Sequence, residues 1–150
     1  MIGMLAIMSQ LYGSVYAKFG PDSNMNYYNR KYIAFGYTDT ITDTFDYQVE
    51  VGGWRTVVPG ERSSLYSSYQ LGLKTRGEFY CHAFTGVAAL SNPDNRLSSL
   101  LQFKHDIGIG FRDKRNVGIG VDYSHISNAG ITLPNLGRDI VQLRVELPFN

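Results

Sequence analysis

The chain has 150 residues, with 14 Lys and Arg against 13 Asp and Glu and a net charge of +1. This length fits one domain, residues 1–150, and the balanced charge gives no long-range field that would attract nucleic acid. Cys81 is the single cysteine, which excludes an intrachain disulfide and leaves no Cys/His cluster for a metal, so we expect no cofactor.

Residues 1–17 allow two interpretations. The stretch MIGMLAIM is apolar, and Val15, Tyr16 and Ala17 resemble the small-residue cleavage site of a secretory signal peptide, but no Lys or Arg precedes Lys18. Alternatively, the segment is a first strand with one apolar face (Leu5, Ile7, Leu11, Val15) and one polar face (Gln10, Ser14, Lys18). The missing positive charge favours the strand.

Turn-forming residues divide the remainder of the chain into strand-length segments. Breaks rich in Gly, Pro, Asn, Asp, Ser or Thr occur at residues 20–26, 38–44, 59–63, 75–77, 91–95, 112–116 and 128–137. They delimit about eight segments, and none carries a helical stripe or the roughly 20 apolar residues of a membrane helix. The sequence therefore predicts an all-β fold and excludes a helical membrane protein.

The last three segments show which kind of β fold is favoured. From Leu101 to Phe149, alternate residues form one face that is apolar or aromatic apart from His105, His125 and Asp139. The other face carries glycines, acids and bases. A soluble sandwich or barrel with its apolar face inward would give this alternation, and so would a membrane barrel with its apolar face toward lipid. The charge-balanced, glycine-rich polar face resembles a crowded barrel interior and favours the membrane barrel.

The strand register brings three chemistry-bearing residues together. If Val117 pairs with Leu147, the same register places His125 opposite Asp139, within reach of an imidazole–carboxylate hydrogen bond. Ser127 points to the same side if the strand continues. A serine, an imidazole base and an orienting carboxylate form a hydrolytic triad.

An oxyanion donor would complete such a site. The candidates are the Asn128 side chain and the backbone N–H groups of the turn formed by Asn128, Ala129 and Gly130. By itself the pattern His-x-Ser is weak evidence, because strands often end in polar residues, and Asn and Gly are common in turns of any function.

A longer motif adds to this interpretation. HISNAG, followed by PNLG and an acid, resembles the signature of the outer-membrane lipid A 3-O-deacylases of the PagL type. The preceding QFKHDIGIGF and the terminal VELPF are also similar to that family. The resemblance implies an eight-stranded antiparallel up-and-down β-barrel in the outer membrane that hydrolyses the ester of the 3-linked acyl chain of lipid A.

The resemblance also implies roles for individual residues. His125 would be the base, Ser127 the nucleophile, and Asn128 an oxyanion contributor, with Gly130 beside it. Asp139 stands where the family has Glu, one methylene longer.

Other residues are candidates from the strand pattern and not from the resemblance. Two outward residues, His105 and Tyr123, are candidate substrate contacts, and we expect them to pair with each other across a short hairpin. The alternative for His105 is an interfacial residue that is hydrogen-bonded to water. Three further aromatic residues are expected to form an interfacial girdle: Tyr80, His82 and Phe84.

We therefore expect a serine esterase that acts on lipopolysaccharide in the bacterial outer membrane and needs no cofactor. The alternative is a structural, non-enzymatic barrel of the same fold, either in a membrane or as a component of a bacteriophage tail or virion. In a virion, the apolar outer wall of the barrel would be covered by neighbouring virion subunits or by copies of the same chain.

Overall fold

Eight strands form from the segments in which side chains alternate between two environments. The structure is a computed structural model that describes residues 13–22, 30–56, 59 and 61–149. The strands are β1 (Gly13–Pro21), β2 (Lys31–Thr40), β3 (Asp46–Arg55), β4 (Ser64–Lys74), β5 (Phe79–Leu90), β6 (Leu101–Arg112), β7 (Gly118–Ser127) and β8 (Arg138–Phe149). Each strand pairs antiparallel with the next, and β8 pairs with β1 to close a barrel.

This architecture confirms the predicted all-β, eight-stranded, antiparallel up-and-down barrel. Of the predicted first strand, residues 13–17 belong to β1, whereas residues 1–12 lie outside the described part of the chain. Among the described residues, no helix is long and apolar enough to cross a membrane.

The outer wall of the barrel is apolar. Large hydrophobic side chains project from it on every strand, with examples in Phe35 at 59% exposure and Ile107 at 60%. The interior is polar, because the alternate residues on each strand are buried and many of them are charged. Apolar outside and polar inside is the arrangement of a barrel whose surroundings are hydrocarbon.

Ion pairs fill the interior. Lys18 Nζ lies 3.1 Å from Glu50, 3.2 Å from Asp106 and 2.8 Å from Asp122, and all four side chains are fully buried. At the end of the barrel where β4 and β8 end, the Glu146 carboxylate accepts hydrogen bonds from Lys74 at 2.6 Å and from Arg144 at 2.7 Å. A buried charge without a partner is strongly destabilising, and this interior balances its acids with bases on facing strands.

The prediction of an aromatic girdle on β5 is wrong. Tyr80, His82 and Phe84 are buried in the barrel interior, because the outward positions of this strand are the odd-numbered ones. The rings fit where glycines leave room: a Cβ added at Gly108 would lie 2.4 Å from His82 Cε1, and one at Gly110 would lie 2.6 Å from Tyr80 Cζ. These aromatic side chains therefore pack the lumen and do not contact the surroundings.

The two ends of the barrel differ in their connections. Residues 41–45, 75–78 and 113–117 form short connections at one end, called here the turn end. The connections that are described in full at the other end, called here the loop end, are longer and comprise residues 91–100 and 128–137. In membrane barrels the longer loops are extracellular.

A tight turn between β6 and β7 fixes the register of these two strands. Asp113 N–H donates to Val117 O at 2.9 Å, and Asn116 takes a positive φ of 61° to close the turn. The Asp113 carboxylate accepts the backbone N–H groups of Arg115 and Val117, both at 2.9 Å. These hydrogen bonds, with that of Val117 the largest influence, lower the pKa of Asp113 below its ordinary value.

This turn corrects one prediction. Since Asn116 and Val117 belong to the turn, Arg112 pairs with Gly118, and His105 lies opposite His125 and not opposite Tyr123. The shift is two residues, so His105 keeps its outward direction.

Candidate active site

The candidate base and its orienting acid lie on adjacent strands near the loop end. Within the register of β7 and β8, His125 pairs directly with Asp139, as predicted from the sequence. His125 Nδ1 lies 2.7 Å from Asp139 Oδ1. The two side chains are 35% and 38% exposed and point outward from the barrel. With Nδ1 held by the carboxylate, Nε2 is the ring nitrogen left to accept a proton.

Ser127 supplies the hydroxyl. It is the last residue of β7, two residues beyond His125 and therefore on the same outward side. Its hydroxyl makes no hydrogen bond to any described residue, so Ser127 and His125 are not hydrogen-bonded to each other in this structure. Catalytic hydrogen bonds are commonly long in unliganded enzymes and close when substrate binds. The three predicted residues share one patch of the outer wall.

Tyr123 holds the carboxylate from a second direction. Its phenolic hydroxyl donates to Asp139 Oδ1 at 2.5 Å, the same oxygen that His125 contacts. The sequence predicts Tyr123 as a candidate substrate contact, and in the structure its hydroxyl is hydrogen-bonded to Asp139. Asp139 Oδ1 is therefore held by two partners on the outer wall.

His105 lies directly beside the candidate base. The rings of His105 and His125 stack with centroids 6.2 Å apart and an angle of 23° between their planes. On its other side, His105 Nδ1 lies 2.8 Å from Thr85 Oγ1. His105 is thus an outward, polar neighbour of the site, as a substrate contact would be.

The predicted oxyanion residues serve mainly to build the loop. Asn128 is fully buried, and its Nδ2 donates to Thr132 Oγ1 at 2.7 Å and Thr132 O at 3.0 Å. Gly130 N–H donates to Asn128 Oδ1 at 2.9 Å, and Asn128 N–H donates to Asn135 Oδ1 at 3.0 Å. Of the donors predicted from the sequence, the Ala129 N–H is the one that makes no hydrogen bond to a described residue.

Two residues that were not singled out from the sequence also shape the site. Gly137 has a positive φ of 66°, and a Cβ at this position would lie 3.0 Å from His125 Cε1. Arg96 donates to Gly137 O from Nε at 3.1 Å and from Nη2 at 3.0 Å. The PNLG motif contains this glycine, but no local pattern links Arg96 to it across 41 residues.

Arg96 belongs to a clamp between two loops at the loop end. Leu97 forms a β-bridge with Asn135, and Leu136 N–H donates to Arg96 O at 3.0 Å. Asp94 Oδ1 accepts from Arg96 N–H at 2.8 Å and turns the chain here. The loop that follows β7 is therefore fastened to the loop that precedes β6, and this holds the residues around His125 in place.

No group of three or more His, Cys, Asp or Glu residues in the described ranges could hold a metal ion.

Comparisons with known proteins point to one family. The family model described as Lipid A 3-O-deacylase (PagL) matches residues 12–148. Lipid A deacylase PagL from Bordetella bronchiseptica is 44% identical over 78 residues, which cover 50% of this chain and 44% of that protein. Lipid A deacylase PagL from Pseudomonas aeruginosa is 36% identical over 73 residues, 47% of this chain and 42% of that protein. The aligned regions thus span less than half of either relative.

Solved structures support the same fold. The crystal structure of the outer membrane enzyme PagL matches with a TM-score of 0.76 at 21% identity, covering 91% of this chain and 99% of that one. A de novo designed transmembrane β-barrel matches with a TM-score of 0.62 at 12% identity, covering 91% and 95%. At these identities the likeness concerns the architecture alone.

Proposed function

Because the chain belongs to the lipid A 3-O-deacylase (PagL) family, we propose that it is an esterase that removes an ester-linked 3-hydroxyacyl chain from the lipid A of lipopolysaccharide in the bacterial outer membrane. The observation that carries the proposal is the outward pair of His125 and Asp139 at 2.7 Å with Ser127 beside it. A structural barrel or virion component would not require this arrangement on its wall.

The proposed reaction is ester hydrolysis in two steps. The Ser127 hydroxyl attacks the ester carbonyl while His125 Nε2 takes its proton, and the sugar hydroxyl then leaves with that proton. Water attacks the acyl-enzyme by the same route and releases the fatty acid. Asp139 holds the imidazole in the required tautomer and stabilises its charged form, and Tyr123 in turn holds Asp139.

The tetrahedral intermediate carries a negative oxygen that needs a donor. We assign this role first to the Ala129 N–H, because the Asn128 side chain and the Gly130 N–H are already used inside the loop. Asn128 then contributes by holding the turn in shape. The buried side-chain amide of Asn128, just before Ala129, is hydrogen-bonded to Gly130 and Thr132, just after it.

The position of the site fits a lipid substrate. The patch lies on the apolar outer wall close to the loop end, which in a membrane barrel is the extracellular side. Acyl chains of the outer leaflet would meet the wall at this height, and their ester groups would lie near the rim. The substrate therefore does not have to enter the barrel interior, which is filled by ion pairs. It also does not have to leave the membrane.

The test is release of 3-hydroxy fatty acid from purified lipopolysaccharide by the protein in detergent, measured by mass spectrometry. Ser127→Ala should lower the rate by roughly three or more orders of magnitude, by analogy with serine hydrolases. Ser67→Ala is the matched control, since Ser67 is an exposed, outward serine on β4 away from the site. Full activity in Ser127→Ala would refute the assignment, and an inactive wild-type protein would favour the structural barrel.

A further inference from the structure

The outer wall carries a pair of adjacent cations at the loop end. Lys31 is the first residue of β2 and Arg55 is the last residue of β3, and the two pair directly in the register of these strands. Both side chains are exposed and point outward, whereas the alternate residues Tyr32 and Trp54 are buried. Among the described outward positions of the eight strands, these are the two that carry Lys or Arg.

No acid of the described chain neutralises this pair. Directly opposed side chains have Cβ atoms about 4.5–5.5 Å apart, and like charges at that distance repel each other. Neither Lys31 nor Arg55 forms an ion pair with a described residue, and the residues outside the described ranges include no Asp or Glu. Acids at this end of the barrel contact two buried arginines instead: Asp22 and Glu61 contact Arg30, and Asp94 contacts Arg138.

The strand ends that carry the two cations are held from inside the barrel. The rings of Tyr32 and Trp54 pack with their centroids 5.6 Å apart. Trp54 Nε1 also donates to Arg62 O at 3.0 Å, which fastens the end of β3 to the segment before β4. The backbone positions of Lys31 and Arg55 are therefore fixed before any ligand binds, which lowers the entropic cost of binding.

An apolar surface continues down the wall from the cations. Ile33, Gly53 and Leu65 are the next outward residues on β2, β3 and β4, and they pair in one row. A Cβ added at Gly53 would lie 2.9 Å from Leu65 Cδ2, so the leucine side chain covers the glycine. Ile33 and Leu65 are 53% and 67% exposed. A ligand that matches this surface has an anionic head and an apolar tail.

We propose that Lys31 and Arg55 bind the phosphate of a lipid headgroup, and that the hydrocarbon chains of this lipid lie against Ile33 and Leu65. A guanidinium donates two parallel hydrogen bonds to phosphate oxygens, and an ammonium adds a compact positive charge. Anionic headgroups attract Lys and Arg side chains at a membrane surface. The phosphate would neutralise both cations at once.

This lipid site is separate from the candidate active site. The candidate base lies on β7, and β8 and β1 stand between that strand and β2. Three interstrand spacings amount to roughly 14 Å along the wall. The lipid held at Lys31 and Arg55 is therefore a second molecule beside the ester that is cleaved.

The experiment uses a dialkyl ether phosphatidate, because an esterase does not cleave its ether bonds. The purified protein in neutral detergent is mixed with this lipid, with the dialkylglycerol that lacks the phosphate, or with inorganic phosphate at the same concentration. Native mass spectrometry measures bound lipid, and thermal unfolding measures the Tm. We expect the phosphatidate alone to bind and to raise the Tm. Equal binding of the dialkylglycerol, or an equal rise in Tm with inorganic phosphate, would overturn the assignment to a phosphorylated lipid.

Substitutions test the two cations. Lys31→Gln and Arg55→Gln should each weaken phosphatidate binding about tenfold, because each removes a charge-assisted contact with the phosphate. Lys31→Arg keeps the charge and should retain the affinity. Lys114→Gln is the matched control, since Lys114 is an exposed cation in the β6–β7 turn at the other end of the barrel. Wild-type affinity in both glutamine variants would overturn the site.

A further variant tests the separation from the candidate active site. His125→Phe removes the candidate base and should bind phosphatidate with wild-type affinity. Weaker binding in this variant would place the phosphate in the active site and would refute a separate lipid site. Phosphatidate binding by a wild-type protein that does not deacylate lipopolysaccharide would support this site and refute the proposed function alone.

Discussion

Substitution of Gly137 by alanine tests whether the loop positions the base. Gly137 has φ of 66°, and an alanine Cβ there would lie 3.0 Å from His125 Cε1 and 3.7 Å from Nε2. The left-handed conformation costs a residue with a side chain about 1–2 kcal/mol. The new methyl group must in addition move the imidazole by a few tenths of an ångström or more, away from its place between Asp139 and Ser127.

Asn116→Ala is the matched control. Asn116 has a similar φ of 61°, but it lies in the β6–β7 turn at the opposite end of the barrel from the site. Both variants should therefore lose about 1–2 kcal/mol of stability in urea unfolding. Only Gly137→Ala should lose esterase activity, by roughly 10- to 100-fold in kcat, measured as fatty acid release. Equal activities in the two variants would show that contact with the imidazole does not matter and would refute the reasoning.

Three further predictions concern the acid, its tyrosine and the interior. Asp139→Glu should lower kcat/KM about tenfold, because the carboxylate already lies 2.7 Å from His125 Nδ1 and a longer side chain must displace the ring; a faster variant would contradict this. Tyr123→Phe should lower kcat about tenfold with little change in KM, since it removes one hydrogen bond to a charged group, and a change confined to KM would instead indicate a substrate contact. Lys18→Met should destabilise the barrel by about 3–5 kcal/mol in urea unfolding, because it removes the cation that three buried carboxylates share and leaves Lys104 and Arg144 to balance them; wild-type stability would contradict this.

The register of the last hairpin was predictable in part. Apolar residues on β7 and β8 must share one face, which restricts the pairing to even sums, and the prediction took the pairing of Val117 with Leu147 from among these. The pairing of His125 with Asp139 followed from this argument, and the structure has it. A barrel with a polar interior was likewise readable from glycines and balanced charges on one face.

The β6–β7 register could not be read in the same way. Both candidate pairings keep the apolar residues on one face, and the choice depends on whether Asn116 continues the strand or closes the turn with φ above zero. The burial of Tyr80 and His82 was missed for a related reason, since an aromatic ring suits either face of a barrel. Its position depends on glycines of another strand that leave room for it.

Contacts between loops could not be predicted from the sequence pattern either. Arg96 and Gly137 meet because two connections are joined by a β-bridge at Leu97 and Asn135. Nothing in the neighbourhood of either residue encodes the other. Tyr123 is an intermediate case: its outward direction was predictable, but the hydrogen bond of its hydroxyl to Asp139 depends on side-chain conformation.

The cation near the start of the chain has a consequence for how the barrel assembles. Lys18 belongs to β1, and its carboxylate partners come from β3, β6 and β7, so the salt bridges span the lumen and do not follow neighbouring strands. A partly assembled sheet without its first strand would keep Lys104 beside Glu50 and Asp106 and Arg144 beside Asp122, but it would lack the cation that contacts all three carboxylates. Pairing of the first strand with the last therefore completes the charge balance of the lumen, which couples closure of the barrel to the neutralisation of its buried acids.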